Sequence, residues 1–172
     1  MANPLKKLAG QTAVYGLSTI VGRLLGYFLI PLYTRMFLPA EFGIFAEFYA
    51  YISFLLIILT YGMETALFNF SAKEENTDSV YTTALISLFA TTLLFLLPVF
   101  FFSRPLSEII RHPQHPEFIV WIALIVSLDA FTSIPFARLR QQNKAARFAT
   151  IKMVSIGANI GLNLFFIAFC KP

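Results

Sequence analysis

Apolar residues run through this chain in five long segments that are separated by short polar stretches. The segments cover residues 8–37, 42–70, 81–102, 118–137 and 148–170. Each is long enough for the roughly 20 residues that a helix needs to cross the hydrocarbon of a bilayer. The connecting stretches are charged at Glu74–Asp78, broken by prolines at Arg111–Pro116 and basic at Arg138–Arg147. The pattern predicts an all-α integral membrane protein with five transmembrane helices.

The composition supports a membrane protein and argues against several other classes. The chain is 58% hydrophobic and 13% charged, whereas soluble domains average about 25% charged residues. Its net charge of +4 comes from residues at helix ends, so we predict no nucleic-acid partner. The single cysteine, Cys170, excludes an internal disulfide and a cysteine metal cluster. No metal site and no cofactor is predicted.

The positive residues predict the orientation of the chain. Lys6 and Lys7 precede the first segment, and the connection between the fourth and fifth segments, with its flanks, contains five cations and no acid. An even number of spans separates the two regions, so both are placed in the cytoplasm. The cations are Arg138, Arg140, Lys144, Arg147 and Lys152. The first four are also expected to contact anionic membrane lipids.

The first segment contains features that predict irregular packing. Thirty helical residues would measure about 43 Å, against a hydrocarbon core near 30 Å. Pro31 lacks a backbone N–H and clashes with the carbonyl of Tyr27, so a kink or an unwound turn is predicted there. Gly22 and Gly26 form a small-xxx-small pair, which indicates tight packing against a neighbouring helix.

Charged residues inside the apolar segments are costly in lipid and need partners. An arginine at a helix centre costs about 2.5–3.5 kcal/mol on insertion scales. With helix one running outward, Arg23 lies about 20 Å below its outer end and Asp129 about 18 Å below the outer end of helix four. Asp129 is therefore the predicted partner of Arg23. Glu47 matches Arg35 near the outer surface.

Three blocks of the sequence together resemble a known family. They are Gly22–Gly26 with Pro31, Arg35 and Leu38–Gly43; Tyr61–Phe70; and Arg138–Lys144. The chain is similar to the polysaccharide transporters of the multidrug/oligosaccharidyl-lipid/polysaccharide exporter superfamily, the Wzx-type flippases. Related lipid II flippases usually have an Arg-Asp pair where this chain has Leu29-Ile30, which favours the oligosaccharide branch.

The resemblance implies a function and a larger protein. Members move an undecaprenyl-pyrophosphate-linked oligosaccharide across the bacterial cytoplasmic membrane by alternating access between two lobes, with about twelve to fourteen spans. On that basis residues 1–172 form most of an N-terminal lobe, and the partners are the lipid-linked oligosaccharide, membrane lipids and a C-terminal lobe. A drug or cation exporter of the same superfamily, and an inactive truncated half-transporter, are the alternatives.

The resemblance also gives the intramembrane charges a second interpretation. Either Arg23 and Asp129 form an internal ion pair that allows insertion, or Arg23 binds pyrophosphate while Asp129 orients it or titrates. A guanidinium suits phosphate because its planar fork donates two parallel hydrogen bonds. Arg35 is a further candidate for substrate binding. Glu64, about 33 Å along helix two from Phe42, is placed near the cytoplasmic face as a charge partner or a titrating group.

The fifth segment has one polar face. Lys152, Ser155, Asn159 and Asn163 recur at steps of three, four and four, which places them on the same side of a helix. They either form interhelical hydrogen bonds or line a path for a sugar-bearing head group. An enzyme is not predicted, because acid–base and metal chemistry need convergent carboxylates and Asp129 is the only aspartate inside a predicted span.

The predicted topology can be tested at Cys170, which it places outside the cytoplasm. A membrane-impermeant maleimide added to intact cells is expected to label this cysteine. Protection in intact cells, followed by labelling after permeabilisation, would show that the orientation is reversed.

Overall fold

The computed structural model describes residues 4–74 and 76–169, without the side chains of residues 4–9, 11, 23, 26 and 167–169. The described residues form helices and contain no strand. Their bounds are α1 (Pro4–Met36), α2 (Pro39–Thr60), α3 (Met63–Ser71), α4 (Thr77–Phe101), α5 (Ser103–Ile109), α6 (Pro116–Gln141) and α7 (Ala145–Phe169).

Five stretches of the described chain are helical, long and apolar enough to cross a membrane. They are Thr12–Met36, Pro39–Ser71, Thr77–Phe101, Pro116–Gln141 and Ala145–Phe166. Each overlaps one of the five segments in the hydrophobic pattern. These segments are helical because a helix satisfies its interior backbone groups within one segment, which a medium without water requires. The predicted all-α membrane fold with five spans is confirmed.

The second span is broken, although its continuous apolar pattern predicts a single helix. Tyr61 and Gly62 separate α2 from α3 and have φ values of 31° and 71°. Glycine adopts positive φ without strain, whereas tyrosine rarely does. The helix resumes at once, since the backbone N–H of Ala66 donates to the carbonyl of Gly62 over 3.1 Å. A single long apolar pattern therefore contains two helices.

The first span, unlike the second, is one continuous helix. Helix α1 continues through Pro31 to Met36, so the structure contains no unwound turn at the proline. Pro31 removes one donor from the helix, while the hydrogen bonds on either side remain. The hydroxyl of Thr34 donates to the carbonyl of Pro31 over 3.1 Å. In a medium without water, unwinding would leave more backbone groups without partners than the proline does.

The chain divides into two compact units. The first, called here the α1–α7 unit, comprises residues 1–42 and 139–172, and the second, called the central unit, comprises residues 43–138. The assignment of the whole chain to one lobe stays a prediction.

Helices α1 and α7 pack side by side in the same direction. Tyr15 contacts Phe148 with ring centroids 5.1 Å apart, and the hydroxyl of Tyr33 lies 2.7 Å from Oδ1 of Asn163. Residue numbers thus increase together along both helices. Parallel first and fifth spans are what an alternating path across the membrane requires.

The central unit has the same alternation. Asp78, at the start of α4, forms an ion pair with Arg138, near the end of α6, and Phe89 contacts Phe131 at 6.2 Å. Helices α4 and α6 are therefore antiparallel. The ring of Phe48 packs against that of Phe118 at 5.8 Å, near the starts of α2 and α6. These directions agree with the predicted order of spans, and the cytoplasmic placement of the N-terminus stays a prediction.

A stripe of small and branched residues on α6 lines the core of the central unit. Its members recur every three or four residues, and Val126, Ala130, Ile134 and Ala137 are completely buried. Alanine lets neighbouring helices approach closely, which is how helices associate in lipid. Leu88 of α4 is also completely buried against this stripe.

We expect the close approach of α1 and α7 to depend on Gly22. A Cβ atom at this position would lie 2.9 Å from Cδ1 of Ile156, whereas one at Gly16 would meet nothing within 4 Å. Gly22→Leu should lower the stability by about 1–3 kcal/mol through overpacking, and Gly16→Leu should have little effect. The thermal midpoint of the detergent-purified protein measures both. Equal midpoints for the two variants would contradict the packing argument.

Candidate functional site

A cavity in the central unit lies beside the break between α2 and α3. Its volume is about 520 Å³. The polar residues of its lining are Thr60, Glu64, Thr65, Asp129 and Ser133. Positive φ at Tyr61 and Gly62 ends α2 and starts α3, and Glu64 lies in the first turn of the new helix.

The cavity brings together two predicted residues, Glu64 and Asp129, that the depth arithmetic placed apart. The depth predicted for Glu64 holds only for a straight second span, and the break at Tyr61 and Gly62 changes the path of the chain. Asp129 is exposed and Glu64 is half-buried. The sequence contains a signal for this break, a Tyr-Gly pair before a glutamate, but the apolar run on either side masks it.

Two of the three hydroxyl groups that line the cavity present only oxygen lone pairs to it. Thr60 donates its proton to the carbonyl of Leu56 over 2.8 Å, and Ser133 donates to the carbonyl of Ala130 over 2.6 Å. A hydroxyl that donates to its own helix keeps only acceptor capacity for a ligand. With two carboxylates, the lining is therefore rich in acceptors.

The predicted partners of the two arginines stay predictions. The side chain of Arg23 lies outside the described residues, so its pairing with Asp129 is neither supported nor contradicted. Arg35 is exposed in the last turn of α1. Glu47 contacts two other side chains: its carboxylate accepts from the hydroxyl of Tyr51 at 3.0 Å and lies 3.4 Å from Nε2 of His112.

The contact between Glu47 and His112 connects α2 to the loop after α5. The backbone N–H of His112 donates to the carbonyl of Ser107 over 2.8 Å, and Arg111 adopts a positive φ of 62°. The imidazole packs on the ring of Phe48 at 5.1 Å. This turn holds His112 over the first part of α2, at the end of the central unit opposite the Asp78–Arg138 pair.

The polar face of α7 divides into residues with different surroundings. Asn163 accepts from the hydroxyl of Tyr33 and donates from Nδ2 to the carbonyl of Asn159 over 2.8 Å. Ser155 and Asn159 are exposed, while Lys152 is half-buried. Asn163 thus forms the interhelical hydrogen bond that was one of the two interpretations of this face. Tyr33 was missed because it lies in an apolar run where a tyrosine is typical of the membrane interface.

The basic connection also has specific contacts. The guanidinium of Arg138 pairs with Asp78 and lies 3.9 Å from the ring centroid of Tyr81. Arg140 lies over the ring of Phe148 at 5.8 Å. Lys144 and Arg147 are exposed, and their contact with lipid head groups stays a prediction. Within the described residues, no group of three or more histidine, cysteine or acidic side chains is arranged to hold a metal ion.

A comparison with known protein families gives a match that covers most of the chain. A protein-family model described as "Polysaccharide biosynthesis protein" matches residues 32–171. The match covers the last four spans and the end of the first, and Arg23 lies before it. No curated protein and no solved structure matches the chain.

The contacts of Arg138 can be tested with one variant that removes both of them and one that removes only the ion pair. An exposed ion pair contributes about 0.2–1 kcal/mol, and a cation–π contact about 0.5–1 kcal/mol. We expect Arg138→Gln to lower the stability of the purified protein more than Asp78→Asn does, because only the first variant loses both contacts. The exposed Arg147→Gln is the control.

A denaturation series on the single variants and on the double variant measures the coupling between Arg138 and Asp78. Additive effects would show that the two side chains do not stabilise each other.

Proposed function

Since this chain belongs to the polysaccharide biosynthesis protein family, we propose that it forms part of a flippase that moves a lipid-linked oligosaccharide across the bacterial cytoplasmic membrane. The observation that carries the proposal is the family match over residues 32–171, which covers most of five helices suited to cross a bilayer. The cargo is an undecaprenyl-pyrophosphate-linked sugar unit, and the partner lobe is supplied by further transmembrane helices.

The protein acts by shielding a polar head group from hydrocarbon, and no covalent step is needed. Polar side chains on membrane helices give the head group hydrogen bonds in place of water. Arg23 is the proposed ligand of the pyrophosphate, because a guanidinium stays charged and pairs with phosphate oxygens through two parallel hydrogen bonds. Ser155 and Asn159, both exposed on α7, are the proposed contacts for the remainder of the head group.

A drug or cation exporter is the second candidate, and the cavity of the central unit favours it. Glu64 and Asp129 both line this cavity, and carboxylates with hydroxyl oxygens suit a cation better than a pyrophosphate. The two candidates differ in which residue matters most. Arg23 is essential for an anionic cargo, and Asp129 is essential for a cationic one.

We expect Arg23→Lys, made in the complete gene product, to reduce transport of the lipid-linked oligosaccharide about tenfold or more, because lysine cannot replace a bidentate, charge-assisted contact. The membrane level of the variant should stay normal. Arg147→Lys is the matched control, since Arg147 is exposed in the basic connection and its charge is retained. Transport is measured in vesicles loaded with a fluorescent lipid-linked oligosaccharide.

Unchanged transport by Arg23→Lys would remove this residue from the binding site. Absence of oligosaccharide transport by the unmodified protein, with export of an organic cation that Asp129→Asn abolishes and Arg23→Lys retains, would favour the cation exporter.

A further inference from the structure

Three side chains of the α1–α7 unit form a hydrogen-bonded chain. The hydroxyl of Tyr33 donates to Oδ1 of Asn163 over 2.7 Å. Nδ2 of Asn163 donates to the backbone carbonyl of Asn159 over 2.8 Å and to Oδ1 of Asn159 over 3.1 Å. The chain thus runs from α1 to the exposed face of α7.

The direction of this chain follows from chemistry. A backbone carbonyl only accepts, so the Asn163 atom that lies 2.8 Å from the carbonyl of Asn159 must be the amide nitrogen. The other terminal atom of Asn163 is then its oxygen, which needs a donor, and Tyr33 supplies one. By the same reasoning, the Asn159 atom that accepts from Asn163 is an oxygen. Flipping either amide would place two acceptors or two donors against each other.

The direction of these hydrogen bonds leaves the amide nitrogen of Asn159 available as a donor. Its amide oxygen is occupied by Asn163, so its amide nitrogen points two N–H donors away from that contact. Within the described part of the chain this nitrogen donates to no group, although Asn159 is exposed on a helix that is suited to cross the membrane. An amide N–H in hydrocarbon without an acceptor is costly. A ligand with acceptor oxygens would remove that cost.

Ser155, one turn earlier, adds a second donor on the same face. Its hydroxyl is exposed and has no hydrogen bond among the described residues. On the same helix, the hydroxyl of Thr150 donates to the carbonyl of Ala146 over 2.9 Å, which is the usual solution for a hydroxyl in a helix. Ser155 and Asn159 therefore present donors about 6 Å apart along the helix axis.

We propose that Tyr33 is a positioning residue that orients Asn163 and, through it, Asn159, so that Asn159 and Ser155 donate to acceptor oxygens of the transported head group. This inference rests on the proposed function. The acceptors are phosphate or sugar oxygens, which share the same chemistry. Asn163 is internal to the chain of hydrogen bonds and does not contact the ligand.

The test uses the complete gene product in nanodiscs and two labelled ligands, undecaprenyl pyrophosphate with and without its oligosaccharide. Tyr33→Phe removes only the hydroxyl and should raise the dissociation constant about threefold to tenfold, as expected for an indirect effect on one hydrogen bond. Asn159→Leu removes both donors without adding a charge and should raise it about tenfold or more. The matched control is Tyr27→Phe, since Tyr27 is exposed on the same helix.

The two ligands identify the source of the acceptor oxygens. A loss of affinity for both ligands assigns the donors to pyrophosphate, and a loss confined to the glycosylated ligand assigns them to sugar. Either result supports the inference.

Thermal midpoints separate positioning from a purely structural role. If Tyr33→Phe lowers the midpoint and leaves both dissociation constants unchanged, Tyr33 only joins α1 to α7 and the inference is wrong. Unchanged affinity with Asn159→Leu overturns it as well. If the unmodified protein binds neither ligand, the proposed function itself fails, which is a different result from binding that the variants do not alter.

Discussion

Hydrocarbon contains no water to hydrogen-bond polar groups, and this constraint accounts for most features of the fold. A backbone in lipid must satisfy its own N–H and C=O groups, and a helix does so within one segment. The described spans are accordingly helical from end to end apart from one break. Even Pro31, which removes a donor, leaves α1 continuous, because the loss of one hydrogen bond costs less than unwinding a turn.

The same constraint makes the one break informative. Tyr61 and Gly62 interrupt the second span with positive φ, and non-helical backbone at membrane depth is tolerated where it is buried in protein or lines a cavity. The cavity beside the break contains Glu64 and Asp129. Two carboxylates in a membrane protein have the same requirement for protein or water around them. The break and the acidic side chains therefore belong to one polar region of the central unit.

The sequence predicts the parts of this fold that depend on composition and misses those that depend on individual contacts. The five spans follow from hydropathy, since this property adds over many residues. The break at Tyr61 and Gly62 was not predicted, because a single residue pair decides it within a long apolar run. The shared cavity of Glu64 and Asp129 was missed for the same reason, as its prediction assumed a straight helix.

The polar face of α7 is a second feature that residue spacing predicts only in part. Its four residues were predicted from their spacing alone, but spacing does not tell which member is occupied by a neighbouring helix. Tyr33 decides this, because its hydroxyl donates a hydrogen bond to Asn163. A tyrosine near the end of a span has no distinctive sequence pattern. Spacing therefore predicted the face, while the division of roles within it needed the partner helix.

Intrahelical hydrogen bonds determine whether a polar face in these helices donates or accepts. Thr60 and Ser133 in the cavity give their protons to carbonyls of their own helices, so they face the cavity as acceptors beside two carboxylates. On α7 the oxygen of Asn159 is taken by Asn163, and its nitrogen keeps both donors. Acceptor-rich lining suits cations, and a donor-rich face suits phosphate and sugar oxygens. The chain thus carries both kinds of surface, each in a different compact unit, from similar numbers of small polar residues.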